Sequence, residues 1–123
     1  MVMKIALVVL GGGIGSLCRY LTSLGAARIF GTSFPWGTLI VNLVGCFLIG
    51  CSFALAERNL VMGPSVRLFF MTGFLGGLTT FSSYALESVS STSSLIVVAN
   101  IVGNNVAGLC LVLAGMAAVR YWT

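Results

Sequence analysis

Six basic and two acidic residues are all the formal charge this chain carries, and their positions constrain its fold more than any other feature. Lys4, Arg19, Arg28, Glu57, Arg58, Arg67, Glu87 and Arg120 leave Ile29–Ala56, Leu68–Leu86 and Ser88–Val119 free of charge. With Ile5–Leu24 before them, these are four spans, each near the roughly 20 residues a helix needs to cross hydrocarbon. At 59% hydrophobic and 7% charged residues, a folded surface would have too little polarity to stay in water. The chain therefore reads as an all-α membrane protein of four transmembrane helices, a single domain over residues 1–123. The first span is too long, and its tail too uncharged, for a cleaved signal peptide, so it reads as mature helix.

The net charge of +4 would suggest nucleic acid in a soluble protein. Here the basic residues stand at span ends, where snorkelling and lipid headgroups account for them. Cys18, Cys46, Cys51 and Cys110 form no metal-type pair and read as small packing residues. Lys4, Arg58, Arg67 and Arg120 share one side of the membrane against Arg19 and Arg28 on the other. That weak bias favours an inside N-terminus and leaves room for insertion in both orientations.

In the first span, Gly11 and Gly15, and likewise Gly12 and Ser16, are four residues apart, a small-residue face suited to close helix packing. Gly25–Pro35 reads as the first connection, and Trp36 opens the second span at the depth of an aromatic belt. Asn42 is the one strongly polar residue of that span, which ends at Glu57-Arg58-Asn59; Gly63-Pro64 marks the next loop. The third span starts near Ser65, Ser88–Ser94 form the third loop, and Leu95–Tyr121 the last helix. So small a bundle encloses a water-filled path poorly, which points to an oligomer.

The third span is interrupted near Gly76-Gly77, within the stretch GFLGGLTTFSSYALE (Gly73–Glu87). A bilayer core has no water to satisfy a broken backbone, so such a break survives only inside protein or beside an aqueous path. The chain has no His and no Asp, and its two carboxylates, Glu57 and Glu87, sit at span edges, where they can pair with Arg58 or face headgroups. No acid–base pair, metal-catalytic cluster or activated nucleophile is visible, which argues against an enzyme. What remains is neutral polar and aromatic chemistry: Asn42, Thr79, Thr80, Phe81, Ser82, Ser83, Tyr84, Asn100, Asn104 and Asn105. Hydroxyl and amide donors, half-helix ends and ring edges can hold an anion, and carbonyls freed at a helix break can hold a cation. Each feature has a plainer explanation: a glycine packing notch, core aromatics at Phe81 and Tyr84, an interhelical hydrogen bond at Asn42, a snorkelling anchor at Arg19. The residues alone lead to a pathway for a small ion or polar solute.

Three blocks carry a resemblance: GGGIGSLCRY (Gly11–Tyr20), GTLIVNLVGCFLIG (Gly37–Gly50) and TGFLGGLTTFSSY (Thr72–Tyr84). In this order they resemble the Fluc, or CrcB-like, fluoride channels, over nearly the whole chain except the first loop and last helix. The resemblance implies a subunit of a fluoride-selective channel, passively exporting fluoride, multi-pass in the bacterial inner membrane. It implies an antiparallel dual-topology dimer, with two pores along the subunit interface. It implies a structural Na⁺ at the dimer centre, held by the backbone carbonyls of Gly76 and Thr79. The pore residues it points to are Asn42, Thr80, Phe81, Ser83 and Tyr84, with Arg19 at the vestibule. Asn42 would offer an amide N–H, Thr80 and Ser83 hydroxyls, and Phe81 its ring edge. Tyr84 stands where the family has phenylalanine, and Leu109 and Leu113 are apolar where the family often continues a polar track. Those departures make a non-conducting or one-pore partner subunit of a heterodimeric fluoride channel the alternative reading. A small multidrug-type exporter is the competitor on size, against which the first span lacks an intramembrane acid.

Overall fold

The computed structural model describes residues 1–58 and 62–122, so Asn59 lies outside the described residues. Helix α1 is Val2–Phe30 and α2 is Trp36–Glu57. The third span is two helices: α3 over residues 64–78 and α4 at Phe81–Ser90. The last, α5, is Ser94–Trp122. By length and composition α1, α2 and α5 are each able to cross a membrane. Neither α3 nor α4 reaches the roughly 20 residues required, but end to end they do. Wider π turns occur at Leu68–Leu75 in α3 and Gly103–Ala107 in α5.

Two boundaries move from their expected places. The first connection is not Gly25–Pro35, because α1 continues through Phe30. Ala26 and Ala27 are strong helix formers, and Arg28 in the last turn complements the negative end of the helix dipole. The helix stops only at Gly31, whose φ of 78° is open to glycine, with its N–H closing on the Ala27 carbonyl. The third loop is likewise shorter than Ser88–Ser94. Ser88 stays helical with its hydroxyl donated back to the Tyr84 carbonyl at 2.8 Å, and α4 runs to Ser90.

Glycines set the helix spacing. Gly11 and Gly15 are buried against the α3 backbone at Phe69 and Phe74. From the other side, Gly73 and Gly77 lie on the α1 backbone at Val8 and Gly12. Ser16, expected on this face, is exposed. Gly50 of α2 meets Val112, and Gly115 of α5 meets Phe47 and Cys51. Among membrane helices, where lipid is as apolar as any side chain, such close approach supplies much of the attraction. The apolar core is correspondingly small: Val41, Leu75 and Leu78, flanked by Phe70 and Phe74 with ring centroids 5.4 Å apart. Ile5, Val9, Leu17 and Leu109 face outward, as suits lipid.

One end of the bundle is tied by Arg120 to Glu57 at 3.1 Å and by Arg67 to the Met62 and Ala56 carbonyls at 2.8 and 3.1 Å. At the other end Trp36 packs with Phe30 and Phe34, centroids 5.5 and 4.8 Å away.

Candidate functional site

The break in the third span is not at Gly76-Gly77 but at Thr79-Thr80. Gly76 and Gly77 are helical, and Gly77 serves as a notch for Gly12. Thr79 (φ −85°, ψ 154°) and Thr80 (φ −150°, ψ 115°) are extended. Thr79 closes α3, its N–H and hydroxyl both donating to the Leu75 carbonyl, at 3.0 and 2.9 Å. Its methyl fills the space left by Gly45 of α2. Thr80 is the N-cap of α4, its hydroxyl accepting the Ser83 N–H at 3.2 Å.

Asn42 holds the break open. Its Oδ1 accepts the Thr80 N–H at 2.8 Å, and its Nδ2 donates to the Thr80 carbonyl at 3.2 Å. One side-chain amide thus replaces, on both sides of Thr80, the bonds that a continuous helix would have supplied. The second Nδ2 hydrogen goes to Asn104 Oδ1 at 2.8 Å. From there the network runs through Asn104 to Asn100 Oδ1 at 2.9 Å, and from buried Asn100 to Ser88 at 3.0 Å. Asn42 is therefore both an interhelical bond and part of the site, and neither of its N–H groups is left over for an ion.

The rerouted donors also mark out carbonyls. Thr80 N–H would close a helical turn on Gly76 and instead goes to Asn42. Ser83 N–H would close one on Thr79 and instead goes to the Thr80 hydroxyl. The carbonyls of Gly76 and Thr79 thereby lose their helical donors, and such oxygens suit an alkali cation. The residues present fit the sodium site that the resemblance implies.

Beside the break lies a cavity of about 390 Å³. Asn42, Gly76, Thr79, Thr80, Phe81 and Tyr84 line it, with Asn104 and Asn105 from α5. Phe81 is 77% exposed and meets Tyr84 edge-on, ring centroids 5.4 Å apart at 62°. Ser83 stands on the first turn of α4 outside this lining and accepts from the Thr80 hydroxyl at 3.1 Å, and its own hydrogen has no acceptor among the described residues. The Thr80 hydroxyl is engaged with Ser82 and Ser83.

Arg19 is not near the end of its span. With α1 running to Phe30, it lies eleven residues inside the helix, about 16 Å from its end. Gly15, one turn earlier, meets Phe74 and Leu78, and Ser23, one turn later, meets Gly37. Arg19 is therefore at the level of the break, and among the described residues it has no hydrogen-bond or ion-pair partner.

A family model for CrcB-like protein, Camphor Resistance (CrcB), matches residues 6–116. The chain belongs to this family. It is 43% identical over 120 residues to the fluoride-specific ion channel FluC of Rhizobium johnstonii, covering 93% of this chain and 94% of the relative. It is 43% identical over 128 residues to the channel of the same name in Cereibacter sphaeroides, covering 99% and 98%. That of Agrobacterium fabrum is 54% identical over 87 residues, 71% of this chain and 70% of the relative.

Two parts of the site go beyond the sequence reading, which names Asn100 and Asn104 as available polar chemistry without giving them a role. Asn100, Asn104 and Ser88 form the far half of the Asn42 network, for which the four-residue spacing of Asn100 and Asn104 on one helix face was a usable signal. The second part is Glu87, which neither pairs with Arg58 nor faces outward. Its Oε1 accepts the Thr38 hydroxyl at 2.6 Å, while Oε2 is buried with no hydrogen-bond partner among the described residues. Both line a cavity of about 380 Å³ under the first connection. Thr38 precedes Asn42 by one turn of α2, so the two polar positions share a helix face.

Proposed function

We propose that this chain is a subunit of a fluoride-selective channel that lets fluoride run passively out of the cell, not an enzyme. The observation that carries the reading is the helix break inside a membrane span, secured by Asn42 and opening on a cavity lined by Phe81 and Tyr84. Its agreement with relatives named as fluoride-specific channels fixes the ion.

Fluoride is small and strongly hydrated, so a path for it must replace water with donors at close range. The Ser83 and Tyr84 hydroxyls, the ring edge of Phe81 and the positive N-terminal end of α4 do this. Thr80 caps that end, and Asn42 serves the path by holding the break rather than by ligating the ion. Arg19, charged at the same level, raises the local anion concentration.

The exposed ring of Phe81 requires a second subunit to close the path. A two-fold dimer of antiparallel subunits in the bacterial inner membrane does so, and the weak charge bias between the two faces permits both insertions. In such a dimer the Gly76 and Thr79 carbonyls would hold a structural Na⁺, which would supply positive charge beside the breaks.

The test is efflux from liposomes carrying the purified chain alone, loaded with fluoride and chloride and followed by ion-selective electrodes. Rapid fluoride loss with chloride retained is the expected result. Equal loss of both ions, or retention of both, removes the reading.

A further inference from the structure

The backbones of α1 and α3 meet at Val8 and Gly73. Towards the start of both helices they leave a groove of about 260 Å³. Ile5, Val8 and Val9 of α1 and Leu68 of α3 wall it, with Lys4 at its mouth. None of these residues lines the cavity beside the break. At 29 residues α1 is about 43 Å long, against roughly 30 Å of hydrocarbon, so its first turn stands among the lipid headgroups. Helical side chains lean towards the N-terminus, and the four-carbon stem of Lys4 carries its ammonium past the end of the groove.

Charge at this end of the bundle is unbalanced. Of the basic side chains there, Arg120 pairs with Glu57, whereas Arg67 donates to the Met62 and Ala56 carbonyls, which leave its charge uncompensated. The Lys4 ammonium has no hydrogen-bond or ion-pair partner among the described residues, and the first turn of α1 holds no acid. A free cation above an apolar groove at the membrane surface fits a lipid with a negative headgroup. A zwitterionic headgroup would bring a second cation to a face already positive, and a peptide would lay its polar backbone against apolar walls.

We propose that this groove seats one acyl chain of an anionic phospholipid, with the lipid phosphate paired to Lys4. The site is separate from the ion path and does not depend on which ion the chain conducts.

Two measurements on the purified full chain test this. The first is native mass spectrometry with phosphatidylglycerol and phosphatidylcholine of identical acyl chains. Phosphatidylglycerol binds the more tightly, and Lys4→Gln weakens it about five-fold while leaving phosphatidylcholine unchanged. Arg28→Gln, at the opposite end of α1, changes neither. An equal loss from Lys4→Gln and Arg28→Gln reduces the preference to general charge and overturns the inference. The second places a reporter in the groove: Val9→Trp in a Trp36→Phe, Trp122→Phe background, quenched by the same lipids brominated on their acyl chains. Val9 is 64% exposed, so the larger side chain is accommodated. Brominated phosphatidylglycerol quenches this tryptophan more strongly than brominated phosphatidylcholine, and adding Lys4→Gln removes the difference. Equal quenching by the two lipids without Lys4→Gln overturns the inference. Quenching by neither lipid shows the groove closed by protein, such as a second copy of the chain, and overturns it as well.

Discussion

Asn42→Ala is the most informative single change, because it separates holding the break from binding the ion. Three hydrogen bonds go: Thr80 N–H at 2.8 Å, Thr80 carbonyl at 3.2 Å and Asn104 Oδ1 at 2.8 Å. Side-chain hydrogen bonds between membrane helices average about 0.6 kcal/mol, so three amount to about 2 kcal/mol. Thr80 is buried, and leaving its amide and carbonyl unpaired adds about 1–3 kcal/mol each. Part of that returns if Thr80 N–H closes on the Gly76 carbonyl and the helix heals. The net expectation is a loss of about 2–4 kcal/mol, read by SDS-driven unfolding with Trp36 and Trp122 fluorescence. Fluoride flux falls with it, and so does Na⁺ binding, since a healed helix takes back the Gly76 oxygen. If flux is lost while unfolding moves by less than about 0.5 kcal/mol, Asn42 is a direct anion ligand and the scaffold argument fails.

Three further outcomes follow from the same geometry. Gly77→Ala puts a Cβ onto the Gly12 backbone and costs about 1–3 kcal/mol in the same unfolding assay, whereas Gly13→Ala, with nothing within 4 Å, is neutral. Equal effects at the two glycines would show that α1 and α3 are not spaced by these contacts. Phe81→Ile removes a ring edge worth about 1 kcal/mol and lowers fluoride flux about five-fold or more while the protein still assembles; unchanged flux means that the path does not use this ring. Arg19→Gln lowers flux most at low ionic strength, and its deficit shrinks towards 1 M salt, where the Debye length is about 3 Å; a deficit independent of salt would assign Arg19 to direct ligation.

The helical spans were legible because charge in this chain occurs mainly at helix ends, and hydrocarbon enforces helix wherever charge is absent. The break was legible in kind and misplaced by a few residues. Glycine pairs suggest a broken helix on propensity alone, yet Gly76 and Gly77 tolerate helical geometry, and what opens the chain is an acceptor on a different helix reaching the Thr80 N–H. Such a long-range capture has no local signature. The Gly25–Phe30 extension of α1 failed on the same weakness of local reading: glycine was counted as a breaker where neighbouring alanines carry the helix on. Arg19 followed from that error, since its depth depends on where α1 ends. The Thr38–Glu87 pair was hidden because the two residues meet only when α2 and α4 pack, and Glu87 in isolation looks like any charge at a membrane edge.

A single rearrangement accounts for both halves of the proposed chemistry. Capturing the Thr80 N–H leaves the Gly76 carbonyl, near the C-terminal end of α3, without its donor. Capping by the Thr80 hydroxyl does the same for Thr79 and starts α4 with its N–H groups directed at the break. The negative end of one short helix and the positive end of the next therefore face the same two residues from opposite sides. An uninterrupted helix would bury both sets of groups in its own hydrogen bonds and could hold neither ion. A break without Asn42 would expose them at a cost the bilayer does not allow. The asparagine makes the open form the satisfied one, so cation and anion chemistry can stand a few residues apart in a chain whose third span holds no formal charge from Leu68 to Leu86.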